Sequence, residues 1–184
     1  MGRVYGFQNV LDSANYYFNK AEAKFIALGD NKDYNPGYHL SQLYVDKAMA
    51  NVEQDSIAIA KEAIGKLTPE FKENNTFISQ AYYIEGLIAF KEGELKEAEQ
   101  LLRVADKNST QKEKIDIRAK IIKLLLEISK IEKNVNEIIQ FSDVCVDMFT
   151  EVNPDIILMD IQMPVLNGYM ATKKYEKYKV ITFQ

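Results

Sequence analysis

The stretch that decides the fold is Ser79-Gln80-Ala81-Tyr82-Tyr83-Ile84-Glu85-Gly86-Leu87-Ile88-Ala89-Phe90-Lys91-Glu92-Gly93-Glu94-Leu95-Lys96-Glu97-Ala98-Glu99-Gln100-Leu101-Leu102-Arg103-Val104-Ala105. Before Gly93, the residues Phe77, Ala81, Ile84 and Ile88 recur in steps of three and four. After it, Leu95, Ala98, Leu102 and Ala105 do the same. Apolar stripes at that spacing, interrupted by a glycine and a charged turn, predict two helices that fold back on each other.

Working outward, the same period fills most of the chain. Leu11, Ala14, Phe18, Ala21, Phe25 and Leu28 form one face of a long helix that Gly29-Asp30-Asn31 stops. Asn35-Pro36-Gly37 marks a turn, after which a helix over 37–51 carries Leu40, Tyr44 and Ala48. Ile57, Ala60, Ile64 and Leu67 supply the next stripe, closed by Thr68-Pro69. Downstream, Thr110-Gln111-Lys112-Glu113 reads as a capping box ahead of Ile117, Ile121, Leu124, Ile128 and Ile131. A last helix over 134–150 points Val135, Ile138, Phe141, Cys145 and Met148 inward. Helices joined by short polar turns predict an antiparallel helical-hairpin array.

Composition excludes several alternatives. The 27 acidic and 23 basic side chains give a formal net charge of −4, unlike the clustered basic face of a nucleic-acid binder. One cysteine leaves no internal disulfide framework. No apolar run approaches the roughly 20 residues of a membrane span, and Met1-Gly2-Arg3-Val4-Tyr5-Gly6 lacks an apolar signal core. A cytoplasmic location is the expectation. His39 is the only histidine and reads as a surface or capping residue; Cys145 reads as a small core residue. No metal-ligand spacing and no phosphate-binding glycine pattern is present, so neither a catalytic residue nor a metal site is predicted.

The segment from Ser79 to Thr110 resembles a tetratricopeptide repeat (TPR). Tyr82 takes the first aromatic place, Gly86 the small place, Gly93 the turn, and Ala98, Leu102 and Ala105 the second-helix places. Tyr44, Ala48, Ala60, Ile64 and Leu67 repeat the pattern upstream, and Ala14, Phe18 and Ala21 resemble the second helix of an earlier repeat whose first helix is missing. The interval from Tyr44 to Tyr82 exceeds the usual period of about 34 residues. Residues 111–150 follow the pattern only loosely, and a generic helical-hairpin array remains the alternative. The resemblance implies a mainly α domain over 1–150 with a concave groove that binds a protein or peptide. Gln42, Val45, Met49, Gln80, Tyr83 and Leu87 fall on its first helices and are the expected partner contacts.

The tail is of another kind. Asn153-Pro154-Asp155-Ile156-Ile157-Leu158-Met159-Asp160-Ile161-Gln162-Met163-Pro164-Val165-Leu166-Asn167-Gly168-Tyr169 resembles the centre of a response-regulator receiver. Ile156 to Met159 would be a buried parallel strand, with Asp160 at its carboxyl end. The resemblance makes Asp160 the phosphoacceptor and Gln162, Met163, Pro164, Asn167 and Gly168 the following loop. Thr182 stands for the switch Thr or Ser. Residues 141–152 read either as the array's last helix or as the receiver helix before that strand. A receiver is a doubly wound sheet of about five strands. Its first-strand acids are not found before Asp160, and its later lysine is not found after it. Magnesium, usually held by one or two carboxylates with phosphate and water, would bind only if that site were completed, so no cofactor is expected.

The fold expectation is therefore mainly α: a TPR-like antiparallel hairpin array over 1–150 with a small α/β fragment over 151–184. The functional expectation is a non-enzymatic interaction module of two-component signalling and phosphorelay, with a histidine kinase among its candidate partners. Self-association through the exposed receiver fragment is a further expectation; nucleic acid and membrane are not. The alternative is a working phosphoacceptor at Asp160 whose missing acids come from a partner chain.

Overall fold

The computed structural model describes residues 1–29, 35–72, 77–109, 114–152, 156–160 and 179–183. For Pro36, Phe71, Lys72, Val146 and everything from 149 onward it describes backbone alone. The protein is mainly α. Among the described residues the helices are α1 (Gly2–Phe7), α2 (Leu11–Leu28), α3 (Pro36–Glu53), α4 (Ile57–Gly65), α5 (Pro69–Lys72), α6 (Ile78–Glu92), α7 (Leu95–Lys107), α8 (Ile115–Ile131) and α9 (Val135–Val152). The chain divides into two compact units, Met1–Ser109 and Thr110–Gln184. That division follows packing, whereas the sequence boundary at 150 follows the change of motif.

In the first unit, local chemistry sets the helix ends. Asn35 caps α3, its side-chain oxygen accepting from the Tyr38 amide at 3.0 Å, and Pro36 occupies the first turn. The segment that reads as a turn in sequence thus starts a helix. Gly93 ends α6 with φ of 86°, and the Glu94 amide donates back to the Ala89 carbonyl at 2.9 Å. That left-handed closure is cheap for glycine and folds α7 against α6.

The two paired contacts α3–α4 and α6–α7 form helical hairpins. At the second, Ala98, Leu102 and Ala105 are fully buried. A Cβ placed on Gly86 would lie 2.8 Å from Leu102 Cγ and 3.3 Å from the Ala98 carbonyl oxygen. Glycine is what permits this approach, because any larger side chain would force the helices apart. Exposed ion pairs, Lys61 with Glu92 at 2.6 Å and Lys91 with Asp55, connect the two hairpins.

Two helices arise without a sequence period to announce them. α1 packs on α2, with Gly2 against the Phe18 ring and Tyr5 stacked on Tyr17 at 5.4 Å between centroids. α5 is a single turn that begins at Pro69. Not every predicted inward residue is covered: Leu28, Ile131 and Val135 lie at helix ends and are exposed.

The second unit contains the α8–α9 hairpin and two strands. Ile117, Ile121, Leu124 and Ile128 are buried along α8, and Phe141 and Met148 along α9. Asn134 caps α9 by accepting from the Glu137 amide at 3.3 Å, and Glu137 accepts from the Ser129 hydroxyl at 3.0 Å. The expected capping box Thr110–Glu113 lies outside the described residues, and Lys114 precedes α8 without a side-chain cap bond. The strands β1 (Ile156–Asp160) and β2 (Lys179–Phe183) pair in parallel, with Ile157 opposite Val180 and Asp160 opposite Phe183.

Candidate functional site

The expected groove residues divide by exposure. Val45 is 1 %, Tyr83 6 % and Leu87 9 % exposed, so these three are packed side chains. Gln42, Met49 and Gln80 are half-buried and can meet a ligand. The split follows from helix geometry. Val45 lies one residue from Tyr44 and three from Ala48, and α3 contacts α6 as well as α4 and α2. A helix with neighbours on three sides has little free face.

Asp160 is the last residue of β1, at the carboxyl end of a parallel pair, the position where open α/β sheets place their chemistry. Gln162, Met163, Pro164, Asn167 and Gly168 lie outside the described residues. Among the described residues no cluster of three His, Cys, Asp or Glu side chains is arranged to hold a metal ion.

The best-defined polar chemistry joins α2 to α3. Asn15 and Asn51 exchange two amide hydrogen bonds, at 3.0 and 2.8 Å. One helical step along, the Lys47 ammonium donates to the Asn19 side-chain oxygen at 2.8 Å. A further step along, the Tyr44 hydroxyl donates to Glu22 at 3.1 Å, and Lys66, just past the end of α4, donates to the same carboxylate at 3.0 Å. Asn51 is fully buried and Lys47 is 5 % exposed. Burial raises the Tyr44 pKa, helped by the Glu22 charge and hydrogen bond and opposed by Lys66. Lys66 is held above its ordinary value by its hydrogen bonds to Glu22 and then Glu62.

No family model matches the chain, and no curated protein does. The α2–α3 ladder was not visible as a site in the sequence. Its signal was present as a second stripe, polar rather than apolar, at Asn15, Asn19 and Glu22 and at Tyr44, Lys47 and Asn51. Mid-helix asparagine is unfavourable by intrinsic propensity and is informative for that reason.

On the other side of the α2–α3 contact lies an open pocket of about 500 Å³, floored by Phe18 and Leu43 and rimmed by Arg3, Lys20, Lys24 and Asp46. Burial raises the Asp46 pKa, while Arg3 at 3.5 Å and a 3.1 Å hydrogen bond from Gln42 oppose the rise. Gln42 is the one expected groove residue that lines this pocket. His39 also lines it, exposed and stacked on the Phe25 ring at 5.8 Å. Cys145 is half-buried on α9, and burial raises its thiol pKa against the lowering effect of Lys130. That shift suppresses the thiolate needed for nucleophilic chemistry. No helix among the described residues is long and apolar enough to cross a membrane.

Proposed function

We propose that the chain is a non-catalytic, TPR-like interaction module of two-component signalling. In this reading the array extends over 1–150 and the partial receiver over 151–184, in the cytoplasm. The observation that carries it is the α6–α7 crossing, where Gly86 lies against Leu102 and Ala98, the small-and-large pairing on which the repeat resemblance rests. The receiver-like string around Asp160 supplies the signalling context, with a protein partner such as a histidine kinase.

The accessible contacts in this reading are Gln42, Met49 and Gln80, since Tyr83 and Leu87 truncations would damage packing. The test is a pull-down from the source cell, identification of the retained protein, and titration of that protein with the purified chain. Met49→Glu combined with Gln80→Glu should weaken binding at least tenfold without lowering the melting temperature. Unchanged affinity would remove the groove from this reading.

The second reading, a phosphoacceptor completed by acids from a partner chain, is favoured by Asp160 ending a strand in a parallel pair. It requires that acetyl phosphate with magnesium label the wild type and not Asp160→Asn. No labelling in the presence of the identified partner would exclude it.

A further inference from the structure

The pocket between α1, α2 and α3 has a chemistry of its own. Its volume of about 500 Å³ falls within the range of roughly 300–1,000 Å³ that encloses small ligands or an anchoring side chain. Phe18 and Leu43 close the floor, and Phe25 stacked with His39 forms an aromatic wall. The pocket opens beyond the place where Gly2 meets Phe18, along the part of α2 that holds Ala21 and Phe25.

The rim carries the opposite sign to the chain. The protein has a formal net charge of −4, yet Arg3, Lys20 and Lys24 face a single carboxylate, Asp46. Asp46 is already engaged by Arg3 and Gln42. Among the described residues Lys24 has no ion-pair partner, and the Lys20 ammonium sits 5.8 Å over the Tyr16 ring, a contact that leaves its charge uncompensated. Two cations one helical turn apart beside an apolar cavity can pair with carboxylates flanking a buried anchor.

The geometry points to this pocket as the docking site for an acidic peptide segment of a partner protein, with one aromatic or aliphatic side chain inserted between Phe25 and Leu43 and acidic neighbours on Lys20 and Lys24. The inference deepens the interaction-module reading and rests on it. A nucleic acid is the weaker fit, because two lysines beside an apolar floor do not make the extended basic track that a phosphate backbone requires.

The experiment uses the full chain and a fluorescein-labelled ten-residue peptide with Asp and Glu on both sides of one Phe. Three controls accompany it: the same peptide with Lys for every acid, the same peptide with Ser for Phe, and a ten-nucleotide single-stranded DNA. Anisotropy should show binding of the acidic Phe peptide above all three controls. Lys20→Glu with Lys24→Glu should weaken it about tenfold or more, and Lys20→Gln with Lys24→Gln by less. Asp46→Asn should strengthen it severalfold. Both lysines are exposed, so circular dichroism should show unchanged helicity.

Equal binding of the lysine peptide or the DNA, indifference to the lysine variants, or no binding of the acidic peptide would overturn the proposal. Met49→Glu with Gln80→Glu tests the same peptide binding against the α3–α6 groove. If that variant abolishes it while the lysine variants do not, the peptide sits in the α3–α6 groove and the pocket assignment falls, though the interaction-module reading stands.

Discussion

The α6–α7 contact is closed by apolar groups, Gly86 against Leu102 with Ala98 and Ala105 beside them, whereas the α2–α3 contact carries amides, an ammonium and a carboxylate through its length. Both join helices of similar length within the same unit. Apolar burial is strong and non-directional, so it fixes how closely helices approach better than how they slide. A polar ladder adds little net stability once solvent exchange is counted, but each half-satisfied register is costly. The difference assigns separate tasks: α6–α7 holds the unit together, and α2–α3 fixes the register that places Phe18, Phe25, Lys20 and Lys24 beside Leu43 and Asp46.

The largest effects should therefore come from the apolar contact. Leu102→Ala should cost about 2–5 kcal/mol, because the side chain is fully buried and its removal leaves a cavity. Gly86→Ala adds a methyl where Leu102 Cγ would be 2.8 Å away. Overpacking of about 1–3 kcal/mol should outweigh the helix-propensity gain of about 1 kcal/mol. Urea midpoints at constant m would measure both. A stabilised Gly86→Ala would show that the helices separate easily and would undo the contrast.

Breaking the ladder should cost less, and the manner of breaking should decide the amount. Asn51→Ala leaves the half-buried Asn15 amide without its partner and should cost about 1–2 kcal/mol. Asn15→Leu with Asn51→Leu removes both ends together and should lie within about 1 kcal/mol of wild type. A double variant as damaged as the single one would mean that the ladder contributes net stability, contrary to its proposed role in register. A stable double variant that loses the acidic-peptide site would confirm that role.

The seven longer helices were legible because each repeats apolar residues over two or more turns. α1 was not, since six residues containing Gly2 and Gly6 show no period and have weak helix propensity; its place is set by packing on Phe18 and Tyr17. The groove residues were legible as members of the first helices but not as exposed or buried. That distinction depends on how many neighbours α3 and α6 have, which no single-helix stripe encodes. The pocket was illegible for a related reason. Lys20 and Lys24 lie off the apolar stripe of α2, and only the fold brings them beside Leu43 and opposite a carboxylate already in use.

The smallest expected effect separates the two contacts by pH. Tyr44 is an acid whose folded pKa lies above its ordinary value of 10.0, first through burial and then through the Glu22 charge and hydrogen bond. The folded state therefore retains the phenolic proton more tightly than the unfolded chain does. Its contribution is fully present below the ordinary tyrosine value and is lost as pH rises through the folded value. Tyr44→Phe removes a hydrogen bond to a carboxylate and should cost about 1 kcal/mol at pH 7. As pH rises past the ordinary tyrosine value, wild type should lose stability faster than Tyr44→Phe, so the two urea-midpoint curves should converge. Leu102→Ala lowers the apolar contact alone, and its curve should run parallel to wild type across the same range. Parallel curves for Tyr44→Phe would mean that the folded state holds the Tyr44 proton no more tightly than the unfolded chain, against both its burial and its bond to Glu22.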